Sequence, residues 1–533
     1  MSITALLSRL DQLEITLEVE HRQLKVNAPK GTLTPDLVSQ LKSNKQELID
    51  FLQKYVKQRR DYVSIESAEK KEYYPLSPSQ KRLYVIQQMD PANTSYNKPM
   101  VFPLEEGIGR EVVKEIFKKL ISRHESLRTS FETIDGEPVQ KVHGEVEIVL
   151  DLNDWSGSHE FQDLLARFIK PFDLWRPPLL RLGLLGNGAS SLFILLDMHH
   201  IISDGTSQAI LKKEFIWLLT GGEDARGLPP LRLQYRDYSQ WLNRSPQKEM
   251  VKHQEAYWLS VLSGDLPILA LPLDFPRPEV QGFEGKATPF DLPKKEVNRL
   301  KNISEEANAT LYMTLLSLLN IFLAKISGQE DIIVGTAIAA RRHADLEPII
   351  GMFVNTLVMR NYPGRYKTVK TFLKEVKEQT LKAFENQEYP FEMLVDKILD
   401  HRDISRNPIF DVMFAFHNTE SVEGEISQLE IQGLNRSSYK IELKKSRFDL
   451  VFHVIERNGN LSFVLEYNTE IFKPEKIQRF VNYFKEIVSQ VTLDANLQLE
   501  RIAVSHGLLK TKKNTSQLLQ GDFGFPEKER GKK

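Results

Sequence analysis

Cysteine is absent from this 533-residue sequence. Its absence excludes disulfide bonds, thiolate zinc sites and a cysteine nucleophile, and it fits a reducing compartment. Long hydrophobic runs are absent too, since no apolar stretch approaches the ~20 residues that a membrane-spanning helix needs. The N-terminus lacks the basic flank and apolar core of a secretory signal. We therefore expect a soluble cytoplasmic protein that has no membrane partner.

A surplus of charge of one sign is also lacking. The 71 basic and 72 acidic side chains give a formal net charge of -1. Such a chain has no broad basic field that would attract nucleic acid or anionic lipid. Its length exceeds that of one ordinary domain, and hydrophobic residues make up 41% of it. We expect a globular protein with more than one core and no nucleic-acid partner.

The first 57 residues have the pattern of a small separate unit. Ser2 can cap a short apolar-faced helix, and Thr34-Pro35-Asp36 is a typical helix start. Between them, apolar side chains alternate along two short segments, at Ile15, Leu17 and Val19 and again at Leu24 and Val26. This alternation predicts a β-hairpin within an αββαα unit. The charged residues 58–72 then have the composition of a linker.

Residues 73–505 alternate between strand-like and helix-like segments, which is typical of an α/β fold. We predict a strand over 192–196, a helix over 311–326 that ends at Gly328, and a strand over 332–334. A proline-rich connector, residues 271–278, favours two half-domains, which we place at 73–265 and 266–505. Residues 506–533 are basic and polar, and we predict a disordered tail or linker.

A polar loop follows the predicted strand over 192–196, and its sequence is His199-His200-Ile201-Ile202-Ser203-Asp204-Gly205. Polar groups buried without partners cost several kcal/mol, so these groups need a purpose. An imidazole moves protons near neutral pH, and we predict that His200 is catalytic. His199 is expected to brace the loop from inside the fold. Asp204 is expected to pair with an arginine and to lock the turn that Gly205 completes.

Two other interpretations of these histidines stay open at this point. A histidine at the end of an apolar strand is often a core residue with satisfied hydrogen bonds. Two histidines are also potential zinc ligands, but adjacent residues on a strand point to opposite faces. Because no third ligand lies at a suitable spacing, we expect no metal site.

The N-terminal unit resembles the tubulysin-type docking domain of peptide synthetases, through residues 24–35 and 48–52. The resemblance implies a homodimer that offers its hairpin to the C-terminal tail of an upstream synthetase subunit. An exposed hairpin edge can accept such a peptide as an added strand. The alternative is a small helical cap that has no partner.

The rest of the chain resembles the condensation domain of nonribosomal peptide synthetases. Seven segments match the family's motifs in order, at residues 76–84, 123–131, 199–205, 235–241, 350–357, 389–392 and 402–408. Ser79 stands where the family usually has alanine, and Asn386 stands where it often has histidine. The first motif resembles the subtype that joins two L-configured residues.

The resemblance implies two chloramphenicol-acetyltransferase-like halves in a V-shaped pseudodimer, with a tunnel between them. His200 would be catalytic, with His199, Asp204 and Gly205 shaping its loop. The ion-pair partner of Asp204 would be Arg341, although the adjacent Arg342 competes for this role. Asn355 would line the tunnel.

The implied activity is amide formation between two carrier-bound substrates. Phosphopantetheine arms of a donor and an acceptor carrier protein would enter from opposite ends, and the chain itself would bind no cofactor. Gly221-Gly222-Glu223-Asp224 lacks the serine that would hold pantetheine on this chain. Whether His200 acts as a general base or positions the amine stays open. An epimerisation domain and a non-catalytic recruitment platform of the same fold are the alternatives.

Overall fold

The computed structural model describes residues 16–20, 23–27, 37, 41, 65–104, 107–154, 164–165, 167–187, 190–221, 227–399, 401, 403–417, 428–430, 440–442, 446–457 and 460–505. The chain divides into two compact units, Met1–Glu66 and Ser67–Lys533. Three of the predicted features lie outside the described residues: the tail over 506–533, Arg402 of the seventh motif, and the helix that begins near Ser2.

The first unit contains the hairpin that the alternating apolar residues predict. Strands β1 (Thr16–Glu20) and β2 (Gln23–Asn27) pair antiparallel, with Glu20 opposite Gln23. Leu17 lies opposite Val26, and Val19 lies opposite Leu24. The predicted hairpin is therefore confirmed.

The second unit is a mixed α/β fold, as its alternating pattern predicts. Its described helices are α1 (Pro78–Met89), α2 (Arg110–Arg123), α3 (Gly205–Leu219), α4 (Tyr235–Leu242), α5 (Ser245–Val261), α6 (Lys294–Glu306), α7 (Leu311–Ser327), α8 (Val369–Glu385), α9 (Phe391–Ile398) and α10 (Pro474–Leu493). Its described strands are β3 (Tyr74–Pro75), β4 (Asn97–Pro103), β5 (Thr129–Ile134), β6 (Glu137–Val142), β7 (Leu150–Asp154), β8 (Leu180–Asn187), β9 (Ser190–His199), β10 (Gly285–Asp291), β11 (Ile332–Ile338), β12 (Asn355–Asn361), β13 (Val412–His417), β14 (Gln428–Glu430), β15 (Lys440–Glu442), β16 (Leu450–Arg457) and β17 (Asn460–Asn468).

A four-stranded sheet carries the histidine loop. Its strand order is β4-β9-β8-β7, and β9 is an inner strand that pairs antiparallel with both β4 and β8. The apolar run that predicts a strand over 192–196 lies inside β9, and Phe193, Ile194, Leu195 and Leu196 are at most 2% exposed. Because β9 is held on both sides and buried, the residue at its end is fixed in position.

A six-stranded sheet forms the other large layer, in the order β10-β17-β16-β13-β11-β12. Its main core includes side chains of α6, α7, α8 and α10. The predicted helix over 311–326 is confirmed as α7, which ends at Gly328 in the left-handed conformation, with φ 73°. Glycine adopts that conformation without steric cost and so closes the helix. The predicted strand over 332–334 is confirmed as part of β11.

The core of the six-stranded sheet also includes residues from before the predicted half-domain boundary at 265. Trp258 and Leu262 belong to it, with exposures of 1% and 3%. The Trp258 indole donates a hydrogen bond to the Asn386 carbonyl at 2.8 Å, which ties α5 to the end of α8. The division into 73–265 and 266–505 stays a prediction.

No single helix in the described part of the chain is long and apolar enough to cross a membrane. The pair formed by α6 and α7 passes this test of length and composition together, with a bend of 108° at the break between them.

Candidate active site

Strand β9 ends at His199, and the chain then makes one 3-10 turn, His200–Ile202, before α3 begins. Asp204 is the N-cap of α3, and its carboxylate accepts the Ser207 amide. Gly205 is the first residue of α3 and therefore adopts helical rather than left-handed backbone angles. The cap on Asp204 leads directly from the turn into the helix, and the role of Gly205 in completing the turn stays a prediction.

His199 is fully buried and both of its ring nitrogens are bonded. Nδ1 accepts the Ile201 amide at 3.1 Å, so the proton is on Nε2, which donates to Gln87 Oε1 at 3.3 Å. Burial lowers the pKa of His199 to about 3, and the charges of Arg447 and Arg181 add to this effect. His199 is therefore neutral and braces the loop from inside.

His200 has the opposite arrangement of its ring nitrogens. Nδ1 lies 2.6 Å from the Ser203 carbonyl, which can only accept, so Nδ1 carries the proton. Nε2 is left with a lone pair, and it makes no hydrogen bond in the part of the chain that the structure describes. His200 is 7% exposed, and its Nε2 atom keeps some contact with solvent. The lone pair is therefore open to an incoming group.

The surroundings of His200 keep its ring neutral. Burial lowers its pKa well below the usual value, and the positive charges of Lys98 and Arg447 lower it further. The hydrogen bond to the Ser203 carbonyl opposes these effects without reversing them. Near neutral pH the ring is thus a base with a free lone pair.

Asp204 is the centre of a buried ion pair. Arg341 donates to both of its carboxylate oxygens, each at 2.9 Å, and the two side chains are 4% and 3% exposed. The amide of Phe353 donates to the same carboxylate at 3.1 Å, and Ser207 donates from its amide and its hydroxyl. A buried carboxylate with five donors is held in one orientation. The carboxylate therefore joins the start of α3 to the segment before β12.

The segment 350–353 packs against Asp204 and Ser207. The Ser207 hydroxyl lies 3.0 Å from the Gly351 amide and 2.9 Å from its carbonyl. A Cβ atom at Gly351 would lie 1.9 Å from the Tyr235 ring, so only glycine fits there. Tyr235 in turn donates to the Met352 carbonyl at 2.6 Å. Residues of the third, fourth and fifth motifs thus meet at one point.

The remaining predicted site residues lie nearby but are bonded differently. Arg342 forms an ion pair with Glu388 at 3.2 Å, so Arg341 and not Arg342 is the ion-pair partner of Asp204. The Asn355 amide donates to the carbonyls of Gln387 and Tyr389, each at 2.9 Å. This side chain therefore fixes the backbone before α9. Its predicted place in the lining of a tunnel stays a prediction.

Sequence reasoning missed several supporting residues. Gln87 lies on α1, 112 positions from the His199 ring that it binds. The carbonyl of Ser203, which sets the tautomer of His200, carries no sequence signal because every residue has a carbonyl. Ser207, three positions after Asp204, could have been recognised, since a polar residue there commonly meets a capping carboxylate.

Among the described residues, no group of three or more histidine, aspartate or glutamate side chains is arranged to hold a metal ion. The loop and its neighbours are held by hydrogen bonds and by the ion pair between Asp204 and Arg341.

The chain belongs to the condensation-domain family. The family's sequence model, described as the condensation domain, matches residues 70–508. The model of the TubC N-terminal docking domain matches residues 3–54.

The curated relatives are large peptide synthetases, of which this chain covers a small share. Tyrocidine synthase 3 of Brevibacillus parabrevis is 40% identical over 486 residues, which are 91% of this chain and 7% of that protein. Surfactin synthase subunit 1 of Bacillus subtilis (strain 168) is 43% identical over 442 residues, which are 83% of this chain and 12% of that protein. The comparisons do not favour the epimerisation alternative.

Solved structures share the fold. A four-domain nonribosomal peptide synthetase bound to AMP and glycine has a TM-score of 0.73 at 22% identity, over 82% of this chain and 34% of the other. The X-domain from teicoplanin biosynthesis, solved in complex with OxyB, has a TM-score of 0.72 at 20% identity, over 83% of this chain and 98% of the other.

The buried neutral histidines predict a loss of stability in acid. The pKa of His199 is about 3 in the folded chain and near 6.5 in the unfolded chain, so the unfolded chain binds the extra proton. This contribution is complete above pH ~6.5 and is lost as pH falls towards ~3, and the loss reaches about 2 kcal/mol at pH ~5. The free energy of unfolding, measured with urea, should therefore fall less for His199→Gln than for the parent between these pH values.

Two comparisons complete this test. Burial raises the pKa of Asp197 to about 6, which acts in the opposite direction, so only the difference between parent and variant is interpreted. His253 is exposed on α5, and His253→Gln is the matched histidine substitution at a site outside the core. An equal acid dependence for parent and His199→Gln would contradict the assignment.

Proposed function

We propose that the chain catalyses peptide-bond formation between two carrier-bound substrates in nonribosomal peptide biosynthesis. The acceptor amine attacks the carbonyl of the donor thioester, a C–N bond forms and the C–S bond breaks. The amine proton leaves through His200 and ends on the released pantetheine thiol. The observation that carries this proposal is the 2.6 Å bond between His200 Nδ1 and the Ser203 carbonyl, because it leaves the Nε2 lone pair for the amine.

The proposed chemical role of His200 follows from the neutral state of its ring. A neutral ring near neutral pH can accept the amine proton or hold the amine by a hydrogen bond, since an α-amino group has a pKa of about 7.7–8.0. Positioned acid–base help of this kind is worth about 10²–10⁴ in rate. The tethering of both substrates adds to it, because intramolecular reactions reach effective molarities of about 10⁵–10⁸ M.

The partners in this proposal are a donor and an acceptor carrier protein. Their phosphopantetheine arms enter a tunnel from opposite ends and meet at His200, and the chain itself binds no cofactor. The first motif supports a donor and an acceptor that are both L-configured. We place this acyltransferase in the cytoplasm, which fractionation of cells that carry the native chain can check.

The test is a reconstituted reaction with two loaded carrier proteins. We expect mass spectrometry to show the dipeptidyl group on the acceptor carrier and a free thiol on the donor carrier. Inversion of the donor residue without amide formation would instead favour an epimerisation domain. No change on either carrier, with both carriers bound, would favour a recruitment platform.

The N-terminal unit is proposed to dock the upstream synthetase subunit. Its hairpin is a two-stranded sheet, and a C-terminal tail can add to such a sheet as a further strand. A dimer of the unit would present two such hairpins. Deletion of residues 1–57 should slow condensation with a separate upstream subunit by about tenfold or more, because docking raises the local donor concentration. Single-turnover rates at low micromolar carrier concentration measure this effect.

The matched control fuses the donor carrier directly to the chain. The deletion should leave the fused reaction unchanged, since fusion replaces docking. Equal rates for separate partners with and without residues 1–57 would contradict the docking role, and sedimentation of the isolated chain tests the homodimer.

A further inference from the structure

Besides Arg341, a second arginine from the side of the six-stranded sheet contacts the backbone beside the histidine loop. Arg447 precedes β16, and its guanidinium donates to the carbonyl of Ser95, 352 positions earlier in the chain. The same guanidinium lies over the ring of Tyr96, 4.5 Å from its centroid. The carbonyl of Tyr96 accepts the His200 amide at 2.8 Å. Arg447 therefore contacts Ser95 and Tyr96, and Tyr96 is the residue whose carbonyl binds the His200 amide.

The backbone of Arg447 is itself held firmly. Its carbonyl accepts two side-chain amides, from Gln281 at 3.1 Å and from Asn407 at 2.6 Å. Two residues later, the Asp449 carboxylate is paired with Arg277. Because the planar guanidinium is pre-organised, an arginine loses less side-chain freedom for each hydrogen bond that it forms. These contacts fix the backbone of Arg447 in the position from which its side chain reaches residues 95–96.

We propose that Arg447 is a positioning residue of the condensation reaction, which clamps Ser95 and Tyr96 and thereby fixes the backbone on which His200 is held. The inference rests on the proposed function, because it assigns Arg447 a role through His200. The planar guanidinium suits both contacts, since it can stack on a ring and donate in its plane at the same time.

The charge of Arg447 gives the clamp a second consequence. The charged or titratable groups that act on His200 are Lys98 on β4, His199 on β9 and Arg447 itself, and each lowers the pKa of His200. Removal of the Arg447 charge should therefore move the acid limb of the rate profile towards higher pH. A purely structural role would leave this limb in place.

The experiment compares Arg447→Gln, Arg447→Lys and a matched control, Arg365→Gln, in single-turnover condensation between loaded carriers. Arg365 pairs with Glu330 on the exposed surface of the same half and touches no part of the loop. Arg447→Gln should lower kcat by about 10- to 100-fold, the scale of a ~1 Å displacement of a catalytic group, with KM for both carriers unchanged. Its acid limb should shift to higher pH.

The lysine variant separates charge from geometry. Arg447→Lys should keep the parent's acid limb while its kcat stays below that of the parent, because lysine retains the charge but not the planar fork. Tyr96→Leu should lower kcat as well, and the double variant with Arg447→Gln should lose less than the product of the two single effects.

Two results would overturn the inference. In one, Arg447→Gln and Arg365→Gln share the parent's kcat and acid limb. In the other, Arg447→Gln loses activity only in proportion to a fall in Tm, with the acid limb unmoved. The proposed function fails separately, if His200→Ala retains the parent's rate, so the two failures are distinguishable.

Discussion

Replacement of His200 by alanine should lower the rate of amide formation between loaded carriers by about 10²–10⁴, the usual contribution of a positioned acid–base group. The physical reason is the loss of the Nε2 lone pair, which makes no hydrogen bond in the described part of the chain. Tethering of the two substrates survives the substitution, so a slow residual reaction should remain. Single-turnover measurements with saturating carriers isolate the chemical step.

The fold must survive for this result to be informative. Alanine leaves the buried Ser203 carbonyl without its donor, at a cost of about 1–3 kcal/mol, so Tm is measured beside the rate. His200→Gln can retain a donor to this carbonyl and should be equally slow, because an amide is not a base. The exposed His253→Ala provides the matched control with the parent's rate. A rate for His200→Ala within tenfold of the parent would remove the basis of the mechanism.

Asp204→Asn should destabilise the fold by about 3–5 kcal/mol, because it leaves Arg341 charged and buried without its partner. The asparagine oxygen can still accept the Ser207 amide, so the helix cap is largely preserved and the loss reports the ion pair. Chemical denaturation followed by fluorescence measures the free energy of unfolding. The rate of condensation should fall together with stability, because this pair fixes the turn beside His200.

An exposed pair provides the comparison. Asp345 pairs with Arg232, and the two side chains are 33% and 48% exposed. Asp345→Asn should therefore cost only about 0–1 kcal/mol. In the double variant Asp204→Asn/Arg341→Gln the loss should be smaller than the sum of the single losses, since neither partner is left charged alone. Equal losses for the buried and the exposed aspartate would contradict the role of the buried pair.

Periodicity and capping were sufficient for the elements that lead to the site. The apolar run at 192–196 predicts the inner strand β9, and the spacing over 311–326 with Gly328 predicts α7. These predictions succeed because burial and helix closure depend on local residue type. The position of Gly205 as the first residue of α3 could not be predicted, since a glycine after an aspartate is compatible with both a turn and a helix start.

The contacts that give the histidines their roles were beyond sequence reasoning. The tautomer of His200 depends on a backbone carbonyl, and that of His199 depends on Gln87 and on the Ile201 amide. Choosing between Arg341 and Arg342 required coordinates, because adjacent residues differ only in direction. Likewise, Trp258 precedes the predicted boundary at 265 but packs in the core of the six-stranded sheet, and this packing joins distant segments of the chain.

The most direct test of the central claim is the protonation of the His200 ring, measured by multiple-bond ¹H–¹⁵N correlation spectra of histidine-labelled protein. The His200 signals are identified by their loss in His200→Gln. We expect a protonated Nδ1 and an unprotonated Nε2 near neutral pH, unchanged down to about pH 6, where an ordinary histidine already titrates. A proton on Nε2, or a titration near pH ~6.5, would contradict the account.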